Sequence, residues 1–262
     1  MLDRMRSHTP LASIAALILV STLLPACNSG RSDGVSVTTS TVTSSKSPAT
    51  QAPAAGRDAV ASCVAWKKTG DASLLRVVDK QRALPDGYAP ADLVALPDRV
   101  AAPGFLAQRM RKDAAEAAVK LLDAAQAQGL DLRAKSTYRS YAEQVRTFQF
   151  WVDQHGLAQA KRESAEPGHS EHQTGAAIDV AGKSTGWELE APFGASPEGK
   201  WVALHAAEYG FAISYPSVEA EAITGYEWEP WHLRYIGTTC SKAWATDGMI
   251  LVKFLEAVAA AG

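Results

Sequence analysis

Basic residues are not in excess in this 262-residue chain. There are 26 Lys and Arg against 28 Asp and Glu, for a net charge of −2, and the basic face that a nucleic-acid partner needs is missing. A long apolar run is also missing. The stretch from Leu11 to Leu24 is too short for a comfortable membrane span. No internal repeat and no second linker divide the part after residue 56, so it reads as one domain of ordinary globular composition, long enough for one sizeable core. Cysteine is rare, with three in all, an odd number that needs explaining in an exported chain.

The N-terminus shows why export is expected. Arg4 and Arg6 precede the apolar run, and Leu24-Pro-Ala-Cys27 follows it. Charged n-region, short h-region and a small residue before the cut describe a secretory signal. The same four residues resemble a bacterial lipobox, in which Cys27 is lipidated and becomes the mature N-terminus. Residues 1–26 are therefore expected to be a lipoprotein signal peptide that anchors the chain to the outer face of the cytoplasmic membrane. An ordinary signal peptide or an uncleaved anchor is the alternative. Residues 27–56 are Ser-, Thr- and Pro-rich with almost no large apolar side chains, as expected of a flexible tether. With Cys27 assigned to lipid, Cys63 and Cys240 are expected to form a disulfide in an oxidising compartment; two buried thiols are the alternative.

Within residues 57–262, apolar residues from Phe105 to Ala125 recur at helical spacing up to Gly129, which predicts a helix over 104–129. Residues 130–134 alternate briefly as a strand. Ser140-x-x-Glu143 forms a capping box for a helix from Tyr141 to about His155, with Tyr141, Val145, Phe148 and Val152 on its apolar face. Residues 176–180 read as a strand with Ile178 and Val180 toward the core and Ala177 and Asp179 on the other face. Residues 183–195 read as loop. Ser196-Pro197 opens a helix ending at Gly210, residues 211–215 form a strand, and Thr246 to Ala260 form a terminal helix. Helices followed by short strands, without regular βαβ alternation, indicate an α+β fold.

The chemistry is concentrated in two strings, His172-Gln-Thr-Gly-Ala-Ala-Ile-Asp179 and Glu229-Pro-Trp-His232. His172, Asp179 and His232 supply two imidazoles and a carboxylate, the three protein ligands of a zinc site with an open position. A straight strand would put His172 and Asp179 on opposite faces, and Gly175 between them permits a bend. Glu229 is placed to act as general base toward water. It too would face away from His232 on a regular strand, so this stretch must bend, and Pro230 favours that. Arg139, after Ser136-Thr-Tyr and just before a helix start, suits an anionic group or a developing oxyanion, although a surface ion pair is equally compatible. Ser170 and Gln144 are candidate hydrogen-bonding groups on the same rim, and Trp228 and Trp231 are candidate apolar walls, Trp231 beside the substrate, with core packing an equal alternative for either. His169 is the rival ligand, while His8, His155 and His205 do not compete.

Ser170-x-His172-x-x-Gly175-x-Ala177-x-Asp179 followed by Glu229-x-x-His232 resembles the zinc D-alanyl-D-alanine carboxypeptidases of the VanY type, which share a fold with D-Ala-D-Ala dipeptidases, lysostaphin-like endopeptidases and the hedgehog signalling domain. Val77-Val-Asp-Lys80, Leu84-Pro-Asp-Gly-Tyr88-x-Pro90-x-Asp92-Leu, Tyr138-Arg139-Ser140 and Ile223-Thr-Gly-Tyr226 extend the resemblance across most of residues 77 to 237. It implies one domain with a small central antiparallel sheet flanked by helices, and one Zn2+ held by His172, Asp179 and His232. It also implies Glu229 as base, Arg139 near the scissile carbonyl, and Ser170 and Gln144 at the substrate carboxylate. The implied partner is the peptidoglycan stem peptide, reached from a lipid anchor in the membrane, with no nucleic acid and no obligate protein partner. The chain departs from the pattern at Ser214, where family members often carry Arg. Removal of a C-terminal D-Ala is the expected reaction. L,D-carboxypeptidase, dipeptidase or endopeptidase specificity and a non-catalytic zinc domain are the alternatives.

Overall fold

A computed structural model of the protein describes residues 54–262 apart from Asp86. The expected signal peptide, Cys27 and almost all of the expected tether lie outside these residues. The elements are helix α1 (Ala54–Lys67), strands β1 (Leu93–Ala95) and β2 (Arg109–Arg111), helix α2 (Lys112–Ala127), strand β3 (Leu132–Ser136), helices α3 (Tyr141–His155) and α4 (Leu157–Glu163), strand β4 (Ala177–Gly182), helices α5 (Pro192–Ala195) and α6 (Pro197–His205), strand β5 (Phe211–Tyr215), helix α7 (Glu221–Thr224), strand β6 (Glu229–Tyr235), and helices α8 (Thr238–Asp247) and α9 (Leu251–Ala261). The first helix starts at Ala54, so residues 54–56 belong to the domain rather than to the tether. No helix among the described residues is long and apolar enough to cross a membrane.

The main sheet has the order β3-β4-β6-β5 and is antiparallel throughout. This is the α+β architecture that the sequence pattern indicates, with the small central antiparallel sheet implied by the family resemblance. One face packs on α2 and α6. Leu121, Leu122, Leu132, Ile178, Val180, Phe193, Val202, Phe211 and Leu233 form a single buried cluster there. Because side chains alternate along a strand, Ile178 and Val180 on β4 and Leu233 on β6 commit the intervening residues to the opposite face. Asp179, His232 and Arg234 lie on that second face, and all three are buried.

A second apolar cluster joins α1, α8 and α9 through Cys63, Leu75, Ile236, Cys240, Leu251, Phe254 and Leu255. At its centre Cys63 and Cys240 are disulfide-bonded, with Cα atoms 4.7 Å apart, as expected. The bridge ties the first helix of the domain to the segment directly after β6.

Four local expectations change, the first being that residues 183–195, expected as loop, begin with a 3-10 turn and end in α5. The helix over 104–129 is shortened to α2, because residues 109–111 pair instead with β1, register Leu93 to Arg111. The backbone N–H of Arg111 donates to Gly175 (2.8 Å), and strand pairing overrides helical spacing where Phe105 and Leu106 have no core to face and remain exposed. The capping box of α3 is present in full, Ser140 with Glu143. The face that α3 buries, however, is Gln144, while Tyr141 and Val145 are exposed. The expected terminal helix is two helices, because Gly248 takes a left-handed conformation (φ 79°) that ends α8 and the chain turns before α9.

The disulfide closes a loop of 177 residues, worth about 5 kcal/mol by a chain-entropy argument whose mechanism is disputed. Cys63→Ser is expected to lower unfolding stability by about 2–5 kcal/mol under oxidising conditions, read by chemical denaturation. A loss below about 1 kcal/mol would show that the α1–α8 packing holds this corner unaided.

Candidate metal and active site

Asp179 and His232 are direct cross-strand partners on β4 and β6, flanked by the core pair Ile178 and Leu233. Register thus brings an acidic and a basic side chain together on the face away from the core. His232 Nδ1 lies 2.9 Å from Asp179 Oδ1. His172 arrives from outside the sheet, on a short 3-10 turn, Glu171–Thr174, that ends at Gly175. Gly175 has φ of 70°, and a Cβ there would come within 2.9 Å of Arg111 and Leu93. Both facts require glycine, and the turn it permits directs His172 back toward Asp179, with Nε2 3.1 Å from Oδ2.

One ligand atom from each of His172, Asp179 and His232 can be chosen so that all lie within 4.8 Å of one another. Each imidazole is anchored through its other nitrogen. His172 Nδ1 faces the carbonyl oxygen of Thr137 at 2.7 Å, and His232 Nε2 faces Glu171 Oε2 at 2.9 Å. Ring orientation fixed from behind, with two nitrogens and a carboxylate oxygen converging in front, is the donor set and support that a zinc-type ion takes. The residues present therefore fit a metal ion.

The electrostatics favour a cation at the same point. Burial opposes charge on His232, yet the Asp179 and Glu171 carboxylates on its two nitrogens lift its pKa to about 10. Burial pushes Asp179 upward, but the charges and hydrogen bonds of His172 and His232 hold it well below the usual carboxylate range. His172 is lowered, by burial first and by the charge of Arg139.

Glu229 opens β6, and its Oε2 lies 3.9 Å from His232 Nδ1. The expected bend is visible in the register. Ile213 pairs with Leu233 but Tyr215 with Glu229, so two steps on β5 span four on β6. This irregularity turns Glu229 to the side of His232 that a regular strand would deny it. Burial, then the charge of Asp179, push the Glu229 carboxyl up to about 8, with His232 and Arg139 pulling the other way.

These groups line a cavity of about 170 Å³ together with Arg139, Trp151, Glu163, Ser170, Leu189, Tyr215, Tyr226 and Trp231. The Arg139 guanidinium is held by two hydrogen bonds, Nη1 to Gln144 Oε1 (2.9 Å) and Nη2 to Ser136 Oγ (3.0 Å), which leaves part of its donor fork directed at the cavity. A concave site with a metal-capable triad, a carboxyl group of raised pKa and a fixed guanidinium has the parts needed to hydrolyse an amide.

A family model described as VanY, D-alanyl-D-alanine carboxypeptidase, matches residues 107–238. The chain belongs to the VanY carboxypeptidase family. It is 43% identical over 187 residues to the putative carboxypeptidase YodJ of Bacillus subtilis (strain 168), covering 71% of this chain and 68% of that protein. Among solved structures, the LdcB LD-carboxypeptidase is 42% identical with a TM-score of 0.64, covering 70% of this chain and 86% of that one. A VanY D,D-pentapeptidase from a VanB-type vancomycin resistance cassette, in complex with Zn(II), is 26% identical with a TM-score of 0.59, covering 70% of this chain and 99% of that one.

Of the residues singled out in this VanY-family sequence, His172, Asp179, His232, Glu229, Arg139, Ser170 and Trp231 meet at one cavity. Gln144 does not reach its wall. It is fully buried behind Arg139, accepting from that guanidinium and donating to Ser164 Oγ (3.2 Å) and the carbonyl of Ala165 (2.7 Å). Trp228 packs beside Gly194 instead of on the cavity. The rival His169 is held by the carbonyl of Asp79, 2.7 Å from Nδ1, and stands outside the metal-capable group. Sequence reasoning missed Glu171, Thr137 and Arg234. The first lies between two selected residues, yet nothing in the string shows that its carboxylate turns inward, and a backbone carbonyl such as that of Thr137 leaves no trace in residue identity.

Gln144 is thus part of the scaffold of Arg139. Gln144→Leu is expected to lower stability by about 1–3 kcal/mol, because it leaves the Ala165 carbonyl and one guanidinium N–H without their partners. Equal denaturation midpoints for the two proteins would contradict this.

Proposed function

We propose that the protein is a zinc-dependent carboxypeptidase that removes the terminal D-alanine from peptidoglycan stem peptides. The observation that carries this reading is the convergence of His172 Nε2, Asp179 and His232 Nδ1 beside Glu229 and Arg139 in one cavity. His172, Asp179 and His232 would hold the ion. Bound there, zinc supplies Lewis-acid chemistry, polarising a carbonyl and acidifying water.

The chain's own groups carry the remaining work. Glu229 takes a proton from the attacking water as its oxygen bonds to the scissile carbonyl carbon. The same carboxyl group later returns the proton to the amine as the C–N bond breaks. Arg139, braced by Gln144 and Ser136, donates to the oxygen on which negative charge develops. Ser170 and Trp231 bind the end of the peptide. The products are a shortened stem and free D-alanine. In this reading residues 1–53 supply a lipoprotein signal and tether, placing the site outside the cytoplasmic membrane where the cell wall lies.

A D,D bond, as in a pentapeptide stem, is the first choice of substrate, in line with the description of the family. A second reading, cleavage of the L,D bond of a tetrapeptide stem, is favoured by the 42% identity to an LD-carboxypeptidase against 26% to the D,D-pentapeptidase. Both remove a terminal D-Ala and differ only in the residue on the acyl side.

Incubation of the zinc-loaded full chain with separate tetra-, penta- and cross-linked muropeptides, followed by mass spectrometry, tests the reading. Chelator-sensitive loss of one D-Ala from the pentapeptide is expected. Loss from the tetrapeptide alone selects the second reading, and no cleavage of any stem rejects both. In the same assay, Glu229→Ala should retain zinc and fold while hydrolysis falls at least about 10²-fold. A variant that loses its zinc would instead make Glu229 a ligand.

A further inference from the structure

Glu171 is a buried carboxylate that the chemistry above does not use. Its side chain is 7% exposed, and a hydroxyl, a guanidinium and an imidazole nitrogen lie within hydrogen-bond distance of its two oxygens. Oε2 accepts from Ser214 Oγ at 2.6 Å and meets His232 Nε2 at 2.9 Å. Oε1 accepts from Arg234 Nη1 at 3.2 Å. Arg234 is completely buried and its Nη2 is held by the carbonyls of Leu74 and Arg76 (3.1 and 3.2 Å), so the guanidinium cannot swing away.

An ionised carboxylate only accepts hydrogen bonds. His232 must therefore present an N–H at Nε2. In the neutral ring that leaves the lone pair on Nδ1, the nitrogen that faces Asp179. The ring is also confined, because the Tyr215 ring lies over it at 5.1 Å with an interplanar angle of 34°. We propose that Glu171, locked by Arg234 and Ser214, is a positioning residue that holds His232 in the Nε2–H tautomer and so keeps Nδ1 available to the metal. The inference rests on reading His172, Asp179 and His232 as a zinc site, but not on which peptide is cut. It also gives Ser214 a task, since its hydroxyl supplies the third donor to the Glu171 carboxylate.

Glu171→Gln isolates the effect. A carboxamide has one oxygen, so it cannot accept on both sides. With that oxygen toward Arg234, its NH2 meets His232 Nε2 and favours the tautomer with the proton on Nδ1, where the metal must bind. With the oxygen toward His232, its NH2 meets the Arg234 donors. The second arrangement keeps the metal-competent tautomer but sets two donors against each other beside the fixed Arg234, so the first, which opposes metal binding, is favoured. Zinc affinity of the full chain, measured by competition with a chromophoric chelator, is expected to fall about 10- to 100-fold for Glu171→Gln. Ser214→Ala removes one donor of three and should cost less than tenfold. Affinity within twofold of the unmutated protein in a normally folded Glu171→Gln overturns the proposal.

Should that variant not fold, the long-range 1H–15N spectrum of the unmutated zinc-loaded protein decides. A proton on Nε2 of His232 with Nδ1 unprotonated supports the assignment, and the reverse overturns it. These readouts do not involve hydrolysis. A protein that shows the Glu171 effect on zinc but cuts no stem peptide would keep this inference and lose the carboxypeptidase reading. An unmutated chain that takes up no zinc would lose both.

Discussion

The pairing of β4 with β6 is the constraint on which the site depends. It places Asp179 opposite His232 and, one residue along, Ile178 opposite Leu233. Since a strand alternates its side chains, the apolar pair and the polar pair are not independent. Burying Ile178 and Leu233 against α2 and α6 forces Asp179 and His232 to the other face at a separation suited to sharing a cation. A slip of one residue would put Asp179 and His232 into the apolar core and the core residues at the cavity. The hydrophobic effect therefore sets the geometry of the polar centre.

Around that pair, the protein spends irregular backbone where it needs unusual directions. Gly175, in the left-handed region and against Arg111 and Leu93, ends the turn that delivers His172. The register shift in β6 delivers Glu229, and a further shift between Ala134 and Ser136 in β3 precedes the residues that carry Thr137 and Arg139. Regular strands supply rigidity, and their irregularities aim the groups that regular alternation would send the wrong way.

Behind the metal-capable residues lies a layer of buried polar partners. Thr137 and Glu171 fix the two rings, Gln144 and Ser136 fix Arg139, and Arg234 links Glu171 to the carbonyls of Leu74 and Arg76. Leu75, between those two carbonyls, packs in the same apolar cluster as the Cys63–Cys240 disulfide. The chain of contacts from the bridged helices to the metal-capable face is thus continuous, apolar at Leu75 and polar from Arg234 through Glu171 to His232, where a buried group left unpaired is costly.

The sequence by itself determined the metal-capable residues, the carboxyl group beside them, the disulfide pair, the capping box of α3 and the α+β class. Residue type, short motifs and the small number of cysteines carry those properties, because ligand chemistry, turn propensity and strand alternation are local and two cysteines remain once Cys27 is assigned to lipid. It misplaced the start of α2 and the buried face of α3, since pairing with β1 and the polar contacts of Gln144 depend on residues distant along the chain. Only the tertiary structure decided that Gln144 braces Arg139 from behind and that Trp228 leaves the cavity wall to Trp231. The same holds for Glu171, which faces His232 and not solvent. Whether a polar side chain is a ligand, a brace or a surface group depends on which donors and acceptors surround it, and that is settled by strand register and packing rather than by its neighbours in sequence.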